Sequence, residues 1–294
     1  MAPMISSNDL NSYYKIDRDI FSRLVTIFMR DPAESILVIA LWLWLEQKGY
    51  PNIISKMISW PRFFLEILFN EAVSALNFLE TNQPPSSPEE GGMNFTSQVM
   101  ERDISLQLFH EKRLDAIDGI KKVLNSVCAK IFTDILVNHL KVMLISEAEI
   151  RFNQQIQVIG FPHKLFGNIE IVWKGFTDYA ISAEELPWSF PVPENDTFSD
   201  EENDRTLFLT FSRGFPVKET EVREVFSGLF RRDSVVDVHI QENVSGNNAH
   251  ALFARLVFRS ATTVDGILNG RIITRFHFRG RHFWGRKYVR SRSD

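Results

Sequence analysis

The sequence is poor in cysteine, with Cys128 alone among 294 residues. One cysteine cannot form an internal disulfide or a thiolate metal cluster, so a reducing compartment, nucleus or cytoplasm, is expected. Val127 and Ile131 flank Cys128 at helical spacing, which favours a buried structural thiol over a nucleophile. The first ten residues lack the charged and apolar blocks of a secretory signal, which also favours an intracellular protein.

Enzyme motifs are scarce as well. The chain contains neither GxxxxGK nor GxGxxG, and none of its seven scattered histidines makes the His–Glu pattern of a zinc hydrolase helix. We therefore expect no catalytic residue, no metal site and no cofactor, and hence no enzyme. The longest apolar run, ILVIALWLWL at 36–45, is far shorter than the ~20 residues of a membrane helix. It predicts a buried central helix and no membrane partner.

The predicted fold class is α+β, with an all-helical N-terminal bundle over residues 1–182. Apolar residues recur at i, i+3 and i+4, and Pro32 and Pro61 stand at helix starts. We predict five to seven helices, a mobile loop at 81–92 and an irregular segment at 161–182. The predicted helical ranges are 17–30, 33–48, 51–58, 61–79 and, with a break, 98–155.

Two tryptophans on the predicted central helix leave an alternative open. Trp42 and Trp44 are two positions apart, so they cannot share one helix face. Either both are buried against different neighbours, or one is exposed and becomes the anchor for a protein partner. The bundle is accordingly expected to recruit a protein or to dimerise.

Residues 205–294 have a different periodicity. Their order of segments predicts βαββαβ, a four-stranded antiparallel sheet with two helices on one face and the other face open. An Arg279–Gly280 turn is predicted to close a final hairpin. The predicted strands are 206–212, 235–241, 249–259 and the hairpin 276–289, and the predicted helices are 218–230 and 262–268.

Strand alternation predicts which side chains lie on the open face. Leu207, Leu209 and Phe211 point one way, so Phe208 points the other. The same alternation places further side chains beside Phe208 on the neighbouring strands. The predicted outer set, exposed in this interpretation, is Phe208, Phe253, Arg255, Trp284, Arg286 and Tyr288. Such aromatic rings stack on bases, and arginines contact phosphates. Alternatively, Trp284 is covered by residues that follow it, and both arginines are solvated surface charges.

The sequence of this region resembles the RNA recognition motif family. LFLTFS (207–212) retains the aromatic of the first-strand motif, and ALFARLVF (251–258) matches four positions of the third-strand motif. The leading basic residue and glycine of the latter are missing, and Arg255 stands where a second stacking aromatic is usual. The layout is also similar to plant-type members with a helical N-terminal domain. The resemblance implies the βαββαβ ferredoxin-like sandwich and single-stranded RNA as partner.

Charge is divided unevenly along the chain. Residues 205–294 carry sixteen basic and eight acidic residues, a net charge of +8, whereas residues 1–204 carry a net −12. A positive domain attracts phosphate backbones. Residues 183–204 hold eight acidic residues, three prolines and no basic residue, which predicts an acidic linker. Either the linker is a solvated spacer, or it folds back onto the basic sheet and competes with RNA.

Two functions of different class follow. In the first, the C-terminal domain binds single-stranded RNA while the bundle supplies a protein-interaction or dimerisation module. In the second, the motif is degenerate, and the chain is a protein–protein adaptor within a larger complex, for example in the nucleus. Phe208, Phe253, Trp284 and the +8 charge favour the first. The missing glycine, Arg255 and the acidic linker favour the second.

Overall fold

The computed structural model describes residues 4–81, 83–85, 92–144, 154–158, 160, 162–173, 179–180, 200–215, 217–230, 234–240 and 251–289. The protein is α+β, with an N-terminal helical region and a C-terminal five-stranded antiparallel sheet. It divides into a sheet unit, Met1–Tyr13 with Asp178–Asp294, and a helical unit, Tyr14–Thr177. Among the described residues, no helix has the length and apolar character needed to cross a membrane.

The chain begins within the sheet unit. Strand β1 (Met4–Ile5) is followed by helix α1 (Ser7–Tyr13). These residues fall inside the range that the sequence assigns to the bundle, but they are grouped with the C-terminal sheet. The first thirteen residues therefore belong to the sheet unit.

The helical unit follows at Tyr14. A π-helical turn, Arg23–Ile27, continues α2, and a second one, Leu124–Cys128, joins α8 to α9. The helices are α2 (Lys15–Ser22), α3 (Pro32–Gln47), α4 (Ile53–Met57), α5 (Arg62–Glu80), α6 (Asn94–Met100), α7 (Leu106–Glu111), α8 (Arg113–Val123), α9 (Ala129–Ile131) and α10 (Thr133–Leu144).

Helix α3 is the central helix of this unit, as its composition predicts. The Asp31 side chain accepts a hydrogen bond from the backbone N–H of Glu34, and Pro32 occupies the first helical position. Apolar residues of α3 lie on every face of the helix and are buried, so the helix is enclosed on all sides. Trp42 and Trp44 are each only 2% exposed, which confirms burial of both and rules out an exposed anchor at either.

The helical unit also contains a small sheet. Strand β2 (Gln154–Gln157) pairs antiparallel with β3 (Glu170–Trp173), and Ile156 faces Ile171. The prediction of an all-helical bundle with helix continuing to 155 is wrong here, and the segment predicted as irregular, 161–182, includes strand β3. Ile156 and Ile171 are buried at this pairing, and the pairing stabilises extended backbone where helical periodicity was weak. Residues 145–153 and, in the predicted loop, 82 and 86–91 lie outside the described residues.

The sheet unit resumes with β4 (Tyr179–Ala180), which pairs with β1, and with α11 (Asp200–Asp204). Residues 181–199, most of the predicted linker, lie outside the described residues. Its last five residues are helical rather than unstructured. Arg205 forms an ion pair with Glu202, and the Thr206 hydroxyl donates to the Glu202 carbonyl, so both interactions hold α11 at the start of the sheet.

Five antiparallel strands form the main sheet, in the spatial order β6-β7-β5-β9-β8. Helix α12 follows the first strand and α13 follows the third, which confirms the predicted order of segments. The predicted final hairpin contains two strands of this sheet, so the sheet has five strands rather than four. The elements are β5 (Thr206–Phe211), α12 (Glu219–Leu229), β6 (Val235–Ile240), β7 (Phe253–Phe258), α13 (Ala261–Leu268), β8 (Ile273–Phe278) and β9 (Arg281–Lys287).

The hairpin turn lies where the sequence predicts it. Arg279 and Gly280 have φ values of 48° and 78°, and Phe278 pairs with Arg281 across the turn. Two consecutive positive φ values are the signature of a type I′ turn, whose twist matches that of the flanking strands. The register of β8 against β9, and with it the position of each outward side chain, follows from this turn.

The inward face of the sheet packs against α12 and α13. Leu207, Leu209 and Phe211 enter this core, as the alternation predicts, together with Phe226 of α12. Gly285 of β9 also faces inward, because a Cβ there would lie 2.8 Å from Cδ2 of Leu207. The inward side chains thus fix the sheet's phase, so their neighbours in each strand lie on the opposite side, here called the outer face.

Candidate functional site

The outer face carries two aromatic rings on its central strands. The rings of Phe208 on β5 and Phe253 on β7 stack with centroids 5.3 Å apart and an interplanar angle of 24°. They form an apolar cluster with Tyr288, separate from the inward core. The predicted direction of Phe208 and Phe253 and their adjacency are therefore confirmed.

The prediction that these side chains are exposed is wrong. Phe208 is 1% exposed, Trp284 is 2% exposed, and Phe253 and Tyr288 are likewise buried. Arg255 and Arg286 are half-buried. The alternation rule gives the face of a sheet on which a side chain lies, but not whether another segment packs on that face. In the conformation described, the aromatic surface is covered.

Helix α1 covers the Trp284 end of the outer face. Tyr13 contacts the Trp284 indole edge-on at a centroid distance of 5.9 Å. The backbone N–H of Arg213, just past β5, donates to the Tyr13 carbonyl at 3.3 Å. One end of the short helix is thereby fixed to the sheet through a ring contact and a backbone hydrogen bond.

Asp9 fixes the other end of α1. The Ser6 hydroxyl accepts the Asp9 backbone N–H at 3.0 Å and donates to Asp9 Oδ2 at 2.6 Å, so the two residues cap the helix start. Asp9 Oδ1 accepts a hydrogen bond from Trp284 Nε1 at 3.3 Å and lies 3.1 Å from a terminal nitrogen of Arg275. Arg275 also donates to the hydroxyl of Ser12 at 3.3 Å. One carboxylate therefore links the helix cap to two adjacent strands.

The outer-face arginines lie against aromatic rings. The Arg286 guanidinium carbon is 4.5 Å from the Phe208 ring centroid, and that of Arg255 is 5.9 Å from the Tyr288 centroid. Burial lowers the pKa of the Arg286 guanidinium, while the neighbouring Tyr288 opposes this shift. Among the described residues, its Nε has no hydrogen-bond partner. Arg286 is thus held by the ring face with one buried donor unsatisfied, rather than forming the solvated surface charge of the alternative interpretation.

Several other basic residues of the domain have acidic partners away from the outer face. Arg281 and Arg279 form ion pairs with Glu221 and Glu224 of α12, each at 3.1 Å. A backbone hydrogen bond from Lys218, together with Arg281, lowers the pKa of the Glu221 carboxyl. A hydrogen bond to Asp204 raises the pKa of Lys287. The net charge of +8 therefore includes two arginines whose positive charge is partly compensated by glutamates of α12.

Sequence reasoning missed Asp9, Tyr13 and the pairing of Arg275 with His282. Arg275 Nε donates to His282 Nδ1 at 3.2 Å, a diagonal contact between β8 and β9, since the register partner of Arg275 is Trp284. The Ser6–Asp9 spacing is a signal of a helix start that the sequence does contain. The contact of Asp9 with the last strand joins residues that are far apart in the sequence, so no local periodicity could reveal it.

Among the residues that the structure describes, no group of three or more histidine, cysteine or acidic side chains could hold a metal ion. Comparisons of the chain with protein-family models, with curated proteins and with solved structures returned no match. The geometry of the outer face is therefore the basis for assigning a function.

Proposed function

We propose that this chain is an RNA-binding protein whose C-terminal domain has the ferredoxin-like RNA recognition motif fold and binds single-stranded RNA on the outer face. The observation that carries the proposal is the stacked Phe208–Phe253 pair with the Arg286 guanidinium over Phe208. Aromatic rings on adjacent central strands offer π-faces to successive unpaired bases, and guanidinium groups add cation–π and phosphate contacts.

The arrangement of the sheet supports the proposal. Strands β5 and β7 are direct neighbours, and β6 and β9 flank them, which is the order expected of a βαββαβ sandwich. Two helices fill the inward face, so the outer face is the one on which a ligand can lie. Residues 205–294 also carry a net charge of +8, which suits a polyanion.

RNA binding on these rings requires the outer face to open. Phe208 is 1% exposed and Phe253 is 8% exposed, so neither ring can stack on a base in the conformation described. Helix α1 closes the Trp284 end of this face through Asp9 and Tyr13, so RNA that runs along the whole face also requires α1 to move away. The measured affinity then includes the free energy of opening. It equals the affinity of the open form multiplied by the fraction of molecules that are open.

The test is a titration of labelled, mixed-sequence single-stranded RNA with the full chain at two salt concentrations. The variants are Phe208→Leu and Phe253→Leu, because leucine keeps the apolar burial of these sites but removes the π-face. Each substitution should weaken binding by about 1–3 kcal/mol per lost base stack. Alanine is unsuitable at these positions, since truncating a buried ring costs about 3–5 kcal/mol of folding free energy.

A matched control is Phe63→Leu. Phe63 lies on α5 of the helical unit and is 66% exposed, so the same chemical change there should leave RNA affinity unchanged. Wild-type protein that binds no RNA at low salt, or outer-face variants that bind as tightly as wild type, would contradict the proposal.

A second function, protein–protein adaptor, is favoured by the docking of α1. The outer face already accepts a helix, through the Tyr13–Trp284 ring contact and the Asp9 hydrogen bond. Under this alternative the face binds helices of partner proteins, and the helical unit provides a further interaction module. The absence of RNA binding in the titration, with α1 exchanging freely for an added peptide of residues 1–15, would support the adaptor.

A further inference from the structure

The Asp9 carboxylate binds to hydrogen-bond donors of two side chains on the outer face. Oδ1 accepts from the indole N–H of Trp284 and pairs with the guanidinium of Arg275. His282 lies beside Arg275, with a nitrogen-to-nitrogen distance of 3.0 Å. These donors come from two neighbouring strands, and Arg275 and Trp284 are register partners, so the sheet itself positions them.

We infer that Arg275 and Trp284 form a binding site for a backbone phosphate of RNA, and that Asp9 is an internal carboxylate that occupies this site in place of the phosphate. The inference rests on the proposed RNA binding and specifies how it is controlled. A carboxylate and a phosphate both accept hydrogen bonds through anionic oxygens, and guanidinium groups bind either one through paired N–H donors. The ligand class is thus a phosphate diester, or a polyphosphate that presents the same oxygens.

The position of this site fits the aromatic pair. Trp284 is the register partner of Thr210 on β5, and Arg286, two positions along β9, is the register partner of Phe208. Residues two apart on a strand lie on the same face, roughly 6.6 Å apart. A phosphate held at Trp284 and Arg275 therefore lies one step along the sheet from the ring on which a base would stack.

Helix α1 is suited to be displaced. It has seven residues, and an isolated helix of that length is marginal in water, so α1 depends on its contacts with the sheet. The Arg275–Asp9 pair is partly solvent-exposed, with side-chain exposures of 38% and 24%, so its net contribution is modest. An incoming phosphate that takes the Arg275 and Trp284 donors removes the polar contacts of Asp9, so α1 is then held only by its remaining contacts at the Tyr13 end and is loosened.

The experiment compares four full-length proteins, wild type, Asp9→Asn, Arg275→Ala and the double variant, with Glu224→Gln as the matched control. Asparagine is nearly isosteric with aspartate but lacks its charge. Glu224→Gln changes net charge equally, and its partner Arg279 lies at the hairpin turn on the helix side. Affinities are measured for labelled single-stranded RNA and, separately, for inorganic tripolyphosphate. Amide hydrogen exchange of α1 is followed with and without each ligand.

For Asp9→Asn we expect about three- to tenfold tighter binding of both ligands, and less than a twofold change for Glu224→Gln. Arg275→Ala should weaken binding more in the Asp9→Asn background than in wild type, because in that background no carboxylate competes with the phosphate for Arg275. It should also reduce the steepness of log affinity against log salt concentration by the amount that corresponds to about one phosphate contact. Either ligand should accelerate exchange of the α1 amides in wild type.

The failures of the two proposals are distinguishable. If RNA does not bind while tripolyphosphate binds and accelerates α1 exchange, the RNA function falls and the phosphate site stands. If RNA binds but Asp9→Asn and Glu224→Gln have equal affinities, the RNA function stands and the internal-carboxylate inference is overturned. Absence of binding for both ligands in every variant overturns both.

Discussion

Asp9 and Trp284 are 275 positions apart and are joined by a hydrogen bond of 3.3 Å from the indole Nε1 to Oδ1. The bond connects the first helix of the chain to the last strand of the sheet. Together with the β1–β4 pairing and the Tyr13–Trp284 contact, it links the N-terminal residues to the sheet unit with which they are grouped. The Trp284 end of the outer face is consequently covered by a segment of its own chain.

Substitution of Trp284 by phenylalanine should destabilise the sheet unit by about 1 kcal/mol more than the same change at a buried tryptophan whose indole N–H forms no hydrogen bond. The change keeps an aromatic ring against Tyr13 but removes the indole N–H that donates to the Asp9 carboxylate. Because this carboxylate is partly exposed, leaving it without the donor costs less free energy than it would at a buried acceptor. Chemical denaturation measures the difference. Trp42→Phe in the helical unit is the control for the ring change itself, because that indole is equally buried and its N–H has no hydrogen-bond partner among the described residues. A loss of stability no larger than that of the control would refute the role assigned to this hydrogen bond.

Limited proteolysis should cut the chain first between 184 and 199, within the acidic segment predicted as a linker. It should spare α11 (Asp200–Asp204), which is helical and bonded to Arg205 and Thr206. The N-terminal fragment carries α1, whose partners lie on the C-terminal fragment, so the two fragments should co-elute in gel filtration. Fragments that separate immediately in wild type would mean that α1 docking is too weak to close the outer face.

Substitution of Gly119 by alanine should destabilise the helical unit by about 1–3 kcal/mol. A Cβ on Gly119 would overlap the indole of Trp44, which is 2% exposed and cannot move aside without disturbing the packing of α3. Gly266→Ala on α13 is the matched control, because a Cβ added at Gly266 would have no atom of the described residues within 4 Å. The control should be stabilised by roughly 0.5–1 kcal/mol through helix propensity alone. Equal melting shifts for the two variants would argue against a tight α3–α8 contact.

The helical unit should lose stability as pH falls through about 6.5. Burial lowers the pKa of His163, Lys164 reinforces the shift and Glu80 opposes it. A group whose pKa is lowered on folding binds more protons in the unfolded chain, so its stabilisation is complete above the unfolded pKa and is lost below it. Burial also lowers the pKa of His139, which contributes in the same direction.

The variant His163→Gln separates the two histidines. It should flatten the fall in unfolding free energy between pH 7 and pH 5 without abolishing it, since His139 still titrates. Chemical denaturation at several pH values measures the slope. A slope identical to that of wild type would show that His163 does not carry this dependence.

Local sequence signals were sufficient for the order of segments and the inward face of the C-terminal sheet and for the central helix, although the sheet has five strands where four were predicted. The alternation in β5 placed Phe208 opposite Leu207, and the Arg279–Gly280 pair located the hairpin. Pro32 and the uninterrupted apolar run identified α3. Each of these signals depends on residues within a few positions of one another, and this is the range over which periodicity and turn chemistry act.

The covering of the outer face could not be predicted in this way. Trp284 is buried by a helix from the other end of the chain, and no local pattern encodes such a contact. Strand β2 and helix α11 were missed for a related reason. The start of β2 was predicted as the end of a helix and α11 as part of the linker, but pairing with β3 and the bond from Thr206 to Glu202 decide their structure.

The central claim, that the outer face binds single-stranded RNA, is tested most directly by photocrosslinking. The full chain is irradiated with single-stranded RNA containing 4-thiouridine, and the crosslinked peptides are identified by mass spectrometry. Adducts should lie on β5 and β7 at Phe208 and Phe253 and on β9 at Trp284, and they should increase in the Asp9→Asn protein. Crosslinks confined to the helical unit or to the α12 side of the sheet, with none on these three strands, would contradict the claim.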